Sequence, residues 1–155
     1  MGVTDPERVI DQFVKYFNSG DLEGILAELY EEDAVLLPGP GAPTVTGRDG
    51  IRPALKGFLD MGGTMSVLGA TALTTGDLAL THSKWRLEVP GSDPMEGTTA
   101  EVVRRQPDGS WKYIIDNPFG GAALDASGHH AWARAGLHTG EFCAPTVRSE
   151  AYSFR

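Results

Sequence analysis

Glu101 is the residue whose type and setting most readily suggest chemistry. It stands in Thr99-Ala100-Glu101-Val102-Val103, a carboxylate inside an otherwise apolar or hydroxyl-bearing run, and strand alternation puts Thr99, Glu101 and Val103 on one face. Turned inward, the acid would have its pKa raised by burial until it could act as an acid or base near neutrality. Turned outward, it would be one more charge on a solvated strand, close to Arg104 or Lys84. Alternation leaves both readings open. Asp116-Asn117, just before Pro118, could orient a ligand hydroxyl or carbonyl, or could simply cap a strand end and hold a turn. Residues 78–87 offer two faces: Leu78, Leu80, His82, Lys84 and Arg86 on one, Ala79, Thr81, Ser83, Trp85 and Leu87 on the other. A histidine and a carboxylate make a workable acid–base unit. A face with His, Lys and Arg also reads as an outward one, which would leave Ser83 and Trp85 to line a pocket. Tyr30 could donate a hydrogen bond or be core with a wet hydroxyl.

The elements that must position these groups follow from periodicity. Thr4-Asp5-Pro6-Glu7 is a capping-box pattern, and Val9, Ile10, Phe13, Val14 and Phe17 recur at helical spacing behind it. Asn18-Ser19-Gly20 ends that helix. Asp21 can cap a second one carrying Leu22, Ile25, Leu26, Leu29 and Tyr30. Residues 33–37 read as a strand stopped by Pro38-Gly39-Pro40-Gly41, residues 43–46 as a second short strand, and Asp49 as the cap of a third helix with Ile51, Leu55, Phe58 and Leu59 inward. From Thr64 the period shifts to two: a strand to Thr74, a turn at Thr75-Gly76-Asp77, and a strand to Val89. After a turn at residues 90–94, a hairpin over 97–120 folds about Pro107-Asp108-Gly109-Ser110. Helices first and an antiparallel meander after predict an α+β fold, its sheet curving around the helices and a pocket in the hollow between them.

Bulk composition excludes several classes of function. A chain of 155 residues suits one domain, and its single cysteine, Cys143, permits no internal disulfide. The net charge of −8 argues against a nucleic-acid partner. No apolar run approaches the ~18 residues of a membrane span and no secretory signal is visible, so no membrane partner and a cytoplasmic location are expected.

The segments Asn18-Ser19-Gly20-Asp21-Leu22, Asp33-Ala34-Val35, Thr46-Gly47-Arg48-Asp49-Gly50-Ile51, Gly76-Asp77-Leu78-Ala79 and Asp108-Gly109-Ser110-Trp111-Lys112 come in an order that resembles the nuclear transport factor two-like superfamily, home of the ketosteroid isomerases and SnoaL-like polyketide cyclases. The resemblance covers residues 4–119. It implies a cone-shaped α+β barrel in which a strongly curved, mostly antiparallel sheet wraps three N-terminal helices, and it implies a homodimer. The oxyanion tyrosine of the isomerases falls at Phe13 and their general-base aspartate at Pro38, so their mechanism is not expected. Their third acid is matched in type by Glu101. The same alignment places His82 and Tyr30 at aromatic cavity positions, which would bring His82 within reach of Glu101.

The expected function is a cofactor-independent acid–base enzyme, of isomerase, cyclase or hydratase type, acting on a hydrophobic oxygenated small molecule such as a polyketide. Glu101 and His82 would be catalytic, with Asp116, Asn117, Tyr30, Trp85, Phe13 and Thr99 in contact with the ligand. The alternative is a non-catalytic binding or dimerisation module of the same fold. Residues 1–120 form the domain, and residues 121–155 a C-terminal extension expected to pack on the barrel mouth or a partner subunit. His129, His130, His138 and Cys143 lie in that extension without metal-ligand spacing, so no metal site is expected.

Overall fold

The computed structural model describes residues 2–120; the expectations for the extension lie outside them. The first helix is entered through a short 3₁₀ turn, Pro6–Arg8, capped by Asp5, whose Oδ1 accepts the Glu7 N–H at 3.1 Å. The cap is thus Asp5 and not Thr4. Helix α1 (Val9–Ser19) buries Val9, Ile10, Phe13 and Phe17, the predicted stripe, and ends at Gly20 with φ 71°, a left-handed value that glycine takes without a Cβ penalty. Asp21 caps the next helix by accepting the Gly24 N–H at 2.8 Å.

That second helix differs from expectation at its far end. After Leu22–Gly24 (α2) it widens into a π-helical turn, Ile25–Leu29, and the chain becomes extended at Tyr30. Tyr30 therefore opens strand β1 (Tyr30–Leu36) and pairs with Tyr113 on the last strand. A tertiary ladder overrides the helical stripe there.

Strand β2 (Val45–Thr46) leads into helix α3 (Gly47–Asp60), which starts ahead of the expected Asp49 cap and contains Pro53. The meander follows as β3 (Thr64–Thr75), β4 (Leu78–Glu88), β5 (Met95–Thr98), β6 (Glu101–Arg105) and β7 (Trp111–Asp116). The seven strands form one sheet in the order β2-β1-β7-β6-β4-β3, with β5 beside β4. Only β1 and β7 pair in parallel. The sheet stays open, with β2 and β3 as its edges, and α1 packs on β3 while α3 packs on β1. Between them Leu26, Leu29, Ile51, Leu87 and Val103 are fully or almost fully removed from water.

Candidate active site

The first arm of the late hairpin is two strands. β5 and β6 both lie against β4, one after the other, and the chain bends between them at Thr99-Ala100. The Thr99 N–H reaches Ser83 O at 2.8 Å, and Thr99 Oγ1 accepts the Ser83 N–H at 2.9 Å, a bond its own carbonyl would make in a regular ladder. Inward alternation nevertheless survives the bend: Thr99, Glu101 and Val103 are all buried.

The second arm changes face. Trp111 and Tyr113 point inward, so strict alternation would send Ile115 in and Asp116 out. The pairing with β6 slips between Val102↔Ile115 and Val103↔Tyr113, which leaves Ile114 as an extra residue on β7. Such a bulge re-aims the side chains beyond it. Ile115 is consequently exposed and Asp116 buried.

These irregularities set two carboxyl groups face to face. With Val102 opposite Ile115 and the Ala100 N–H bonded to Asn117 O at 2.9 Å, Glu101 and Asp116 are direct cross-strand neighbours, both inward. Side chains in such a position start from Cβ atoms roughly 4.5–5.5 Å apart. Both residues are buried, Glu101 at 3 % exposure and Asp116 at 6 %. Thr81, the β4 partner of Glu101, donates its hydroxyl to Glu101 Oε2 at 2.8 Å. The Tyr30 hydroxyl donates to Asp116 Oδ2. The Tyr30 backbone is held in turn by Arg48, whose Nε and a terminal N–H both reach its carbonyl.

Burial, then the neighbouring charge of Asp116, pushes the Glu101 carboxyl up to about 8, although the hydroxyls of Thr81 and Thr99 pull it part of the way back. Burial also raises Asp116, to about 6, against the opposing hydrogen bond from Tyr30. Two acids so close cannot both ionise freely, and through the neutral range the pair holds one proton. Tyr30 and Tyr113 are raised well above the usual phenol range, chiefly by burial and by the adjacent acids, and stay protonated.

The pair opens into a cavity of about 270 Å³. Its other walls are nearly all apolar: Phe13 and Ile10 from α1, Ala54, Leu55 and Phe58 from α3, Trp85, and Pro118 and Phe119 beyond β7, with methionines at 61, 65 and 95. A general acid and a general base, each hydrogen-bonded at one oxygen and facing one apolar space, can move a proton between two atoms of a bound molecule.

The expected residues fall in different places. Glu101, Asp116, Trp85, Phe13 and Thr99 line the cavity. Tyr30 stands behind Asp116 and touches the site through that carboxyl. Asn117 is turned away: its Nδ2 donates to Gly120 O at 3.2 Å, and it does not line the cavity. His82 requires correction. It lies on the exposed face of β4, its Nδ1 2.9 Å from Thr99 O, so the His82–Glu101 pair does not form. The face that holds Thr81, Ser83, Trp85 and Leu87 is the buried one. Thr81 and Tyr113 were not anticipated. Thr81 shared a face with Trp85 and could have been inferred from it, and Tyr113 alternates with Trp111. Among the described residues no group of three or more His, Cys, Asp or Glu could hold a metal, and no helix is long and apolar enough to cross a membrane.

Residues 10–114 match the family model described as a SnoaL-like domain. No protein of curated function matches the chain at a significant level. Among solved structures, a nuclear transport factor two-like protein with a cystatin-like fold from Novosphingobium aromaticivorans superposes with a TM-score of 0.60 at 25% identity, over 84% of this chain and 85% of that one. A candidate dehydratase of the same superfamily from Streptomyces avermitilis gives 0.57 at 18% identity, over 71% and 91%. A candidate ketosteroid isomerase from Parabacteroides distasonis gives 0.58 at 20%, over 72% and 84%.

Proposed function

The chain belongs to the SnoaL-like domain family, and from that premise we propose that it is a cofactor-independent acid–base enzyme acting on a small hydrophobic oxygenated molecule, a small polyketide being one such substrate. The observation that carries this reading is the placement of Glu101 opposite Asp116 in an otherwise apolar cavity. Asp116, ionised and steadied by Tyr30, takes a proton from the carbon beside a carbonyl. Glu101, protonated, gives its proton to the oxygen where negative charge develops, or to a departing hydroxyl. In an isomerisation the first proton returns at another carbon; in a dehydration water leaves and the pair redistributes the proton it gained. The volume lies just below the roughly 300–1,000 Å³ usual for small-molecule sites, which suits a substrate of one or two rings.

The working form requires Asp116 ionised and Glu101 protonated. Activity should therefore rise through a pH of about 6 and fall through about 8. Solvent deuterium entering β-tetralone, followed by magnetic resonance across that range, is the measurement. A rate indifferent to pH, or one that survives Asp116→Asn, would sink the assignment.

A second reading is favoured by the outer face of the sheet. Leu73 pairs with Leu80, Leu80 with Val102, and Val102 with Ile115, forming an apolar row across β3, β4, β6 and β7. Leu73, Leu80 and Ile115 are all exposed. A row of this kind wants covering, and we propose that a second copy covers it in a homodimer. Leu80→Asp should then halve the mass found by sedimentation, whereas a wild type that sediments as a monomer removes the proposal. An assembly role without chemistry would keep this row and lose nothing in Glu101→Gln.

A further inference from the structure

Among the described residues, Glu101 and Asp116 are buried acids without a basic partner. None of the ion pairs among the described residues includes either of them. No lysine, arginine or histidine among the described residues lines the cavity. Basic groups on the surrounding elements are engaged elsewhere, His82 with the Thr99 carbonyl among them. Arg48 holds the Tyr30 carbonyl, Lys84 lies 3.9 Å from Glu96, and Arg104 lies 3.7 Å from Glu31, the last two at the protein surface. Buried charge in proteins is ordinarily matched by an opposite charge, because an isolated ion in an apolar interior is costly.

The walls add a second feature. Phe58 stands edge-on to Trp85, with centroids 5.9 Å apart and planes at 78°, and Phe119 stands edge-on to Trp85 at 5.8 Å and 75°. All three rings line the cavity, and because their planes are nearly perpendicular they border it in different orientations. Aromatic rings pack well edge-to-face or offset, so walls of this kind suit a flat ring.

We propose that a second kind of ligand supplies the missing positive charge: besides its oxygenated substrate the cavity takes a small hydrophobic amine, its protonated nitrogen against Glu101 and Asp116 and its ring among Phe58, Trp85 and Phe119. The inference rests on reading this cavity as the ligand site, and not on the acid–base step. Carboxylates and phosphates of the same size are excluded, since they would bring a negative charge to a wall that offers two acids and no base.

Calorimetric titration of the full chain at neutral pH with β-aminotetralin, β-tetralol and tetralin-β-carboxylate compares three charges on one ring frame. The amine is expected to bind about tenfold more tightly than the alcohol, through charge-assisted hydrogen bonds to the acid pair, and the carboxylate not measurably. The double variant Glu101→Gln, Asp116→Asn should lose the preference for the amine, binding amine and alcohol alike. Should that double variant fail to fold, Asp116→Asn alone is read in the same way. The inference is overturned if the alcohol equals or exceeds the amine in the wild type, if the amine does not bind, or if its advantage persists in the variant. Equal binding of alcohol and amine leaves the acid–base reading standing, because that reading is judged by deuterium uptake into β-tetralone.

Discussion

Glu101→Gln should reduce turnover by about 10²–10⁴-fold and, above pH 8, make the protein more stable than the wild type. The two effects have one cause. Glutamine keeps the size of the side chain and can still meet the Thr81 hydroxyl, but it cannot hand over a proton. Loss of general acid catalysis is the first consequence. The second follows from proton linkage. Burial and the charge of Asp116 raise the folded-state pKa of Glu101 to about 8, well above that of an unfolded glutamate. Between those two values the folded chain holds a proton that the unfolded chain has released, so stability falls as pH rises through that window. Below the unfolded pKa both states are protonated and no penalty exists. Removing the ionisable group removes the penalty, on the order of a few kcal/mol at pH 9 and close to nothing at pH 4. Denaturant melts of the two proteins at those pH values are the check. Parallel curves with no gain at pH 9 would mean that Glu101 ionises in the fold as easily as in water. His82→Ala is the control, because His82 sits on the exposed face and should leave turnover unchanged, costing stability only the bond to the Thr99 carbonyl, about 1 kcal/mol.

The asymmetry between what was legible and what was not has a physical origin. The α1 stripe, the Gly20 stop and the Asp21 cap are local matters, decided by residues within a turn of one another, and they stand where expected. Strand identities in the meander were equally local, except that the first arm of the late hairpin breaks into β5 and β6 at Thr99-Ala100. Which face of β4 goes inward was not, because Leu80 and His82 on one side and Thr81 and Ser83 on the other are of comparable polarity. The larger side chains settled it: Trp85 and Leu87 share a face with Thr81 and Ser83, and burying them takes most apolar area out of water. Leu73, Leu78 and Leu80 are left outside as a result. The site itself depended on two irregularities that no periodicity rule announces. The π-helical turn Ile25–Leu29 delivers Tyr30 to a strand, and the extra residue at Ile114 brings Asp116 to the inside. Without the first, Asp116 would lack its donor, and without the second, Glu101 would face the cavity alone.

Trp85 ties that hairpin to the cavity, and its truncation should be the most damaging single change to the fold of the site. Its indole lies beneath β5, where Gly97 leaves room for it: a Cβ on Gly97 would come within 2.5 Å of the ring. Its Nε1 donates to Pro118 O at 2.8 Å, which fixes the chain just past β7. Phe58 of α3 and Phe119 both pack against it, roughly perpendicular to its plane. Three segments distant in sequence thus meet on one ring. Trp85→Ala would leave a void between helix and sheet that neither can close, for a loss of roughly 3–5 kcal/mol. Trp85→Phe would keep most of the packing and forfeit the bond to Pro118, for about 1 kcal/mol. Urea melts of the two variants should therefore separate widely. Near-equal losses would show that the bond to Pro118, and not the bulk of the ring, holds the cavity wall in place.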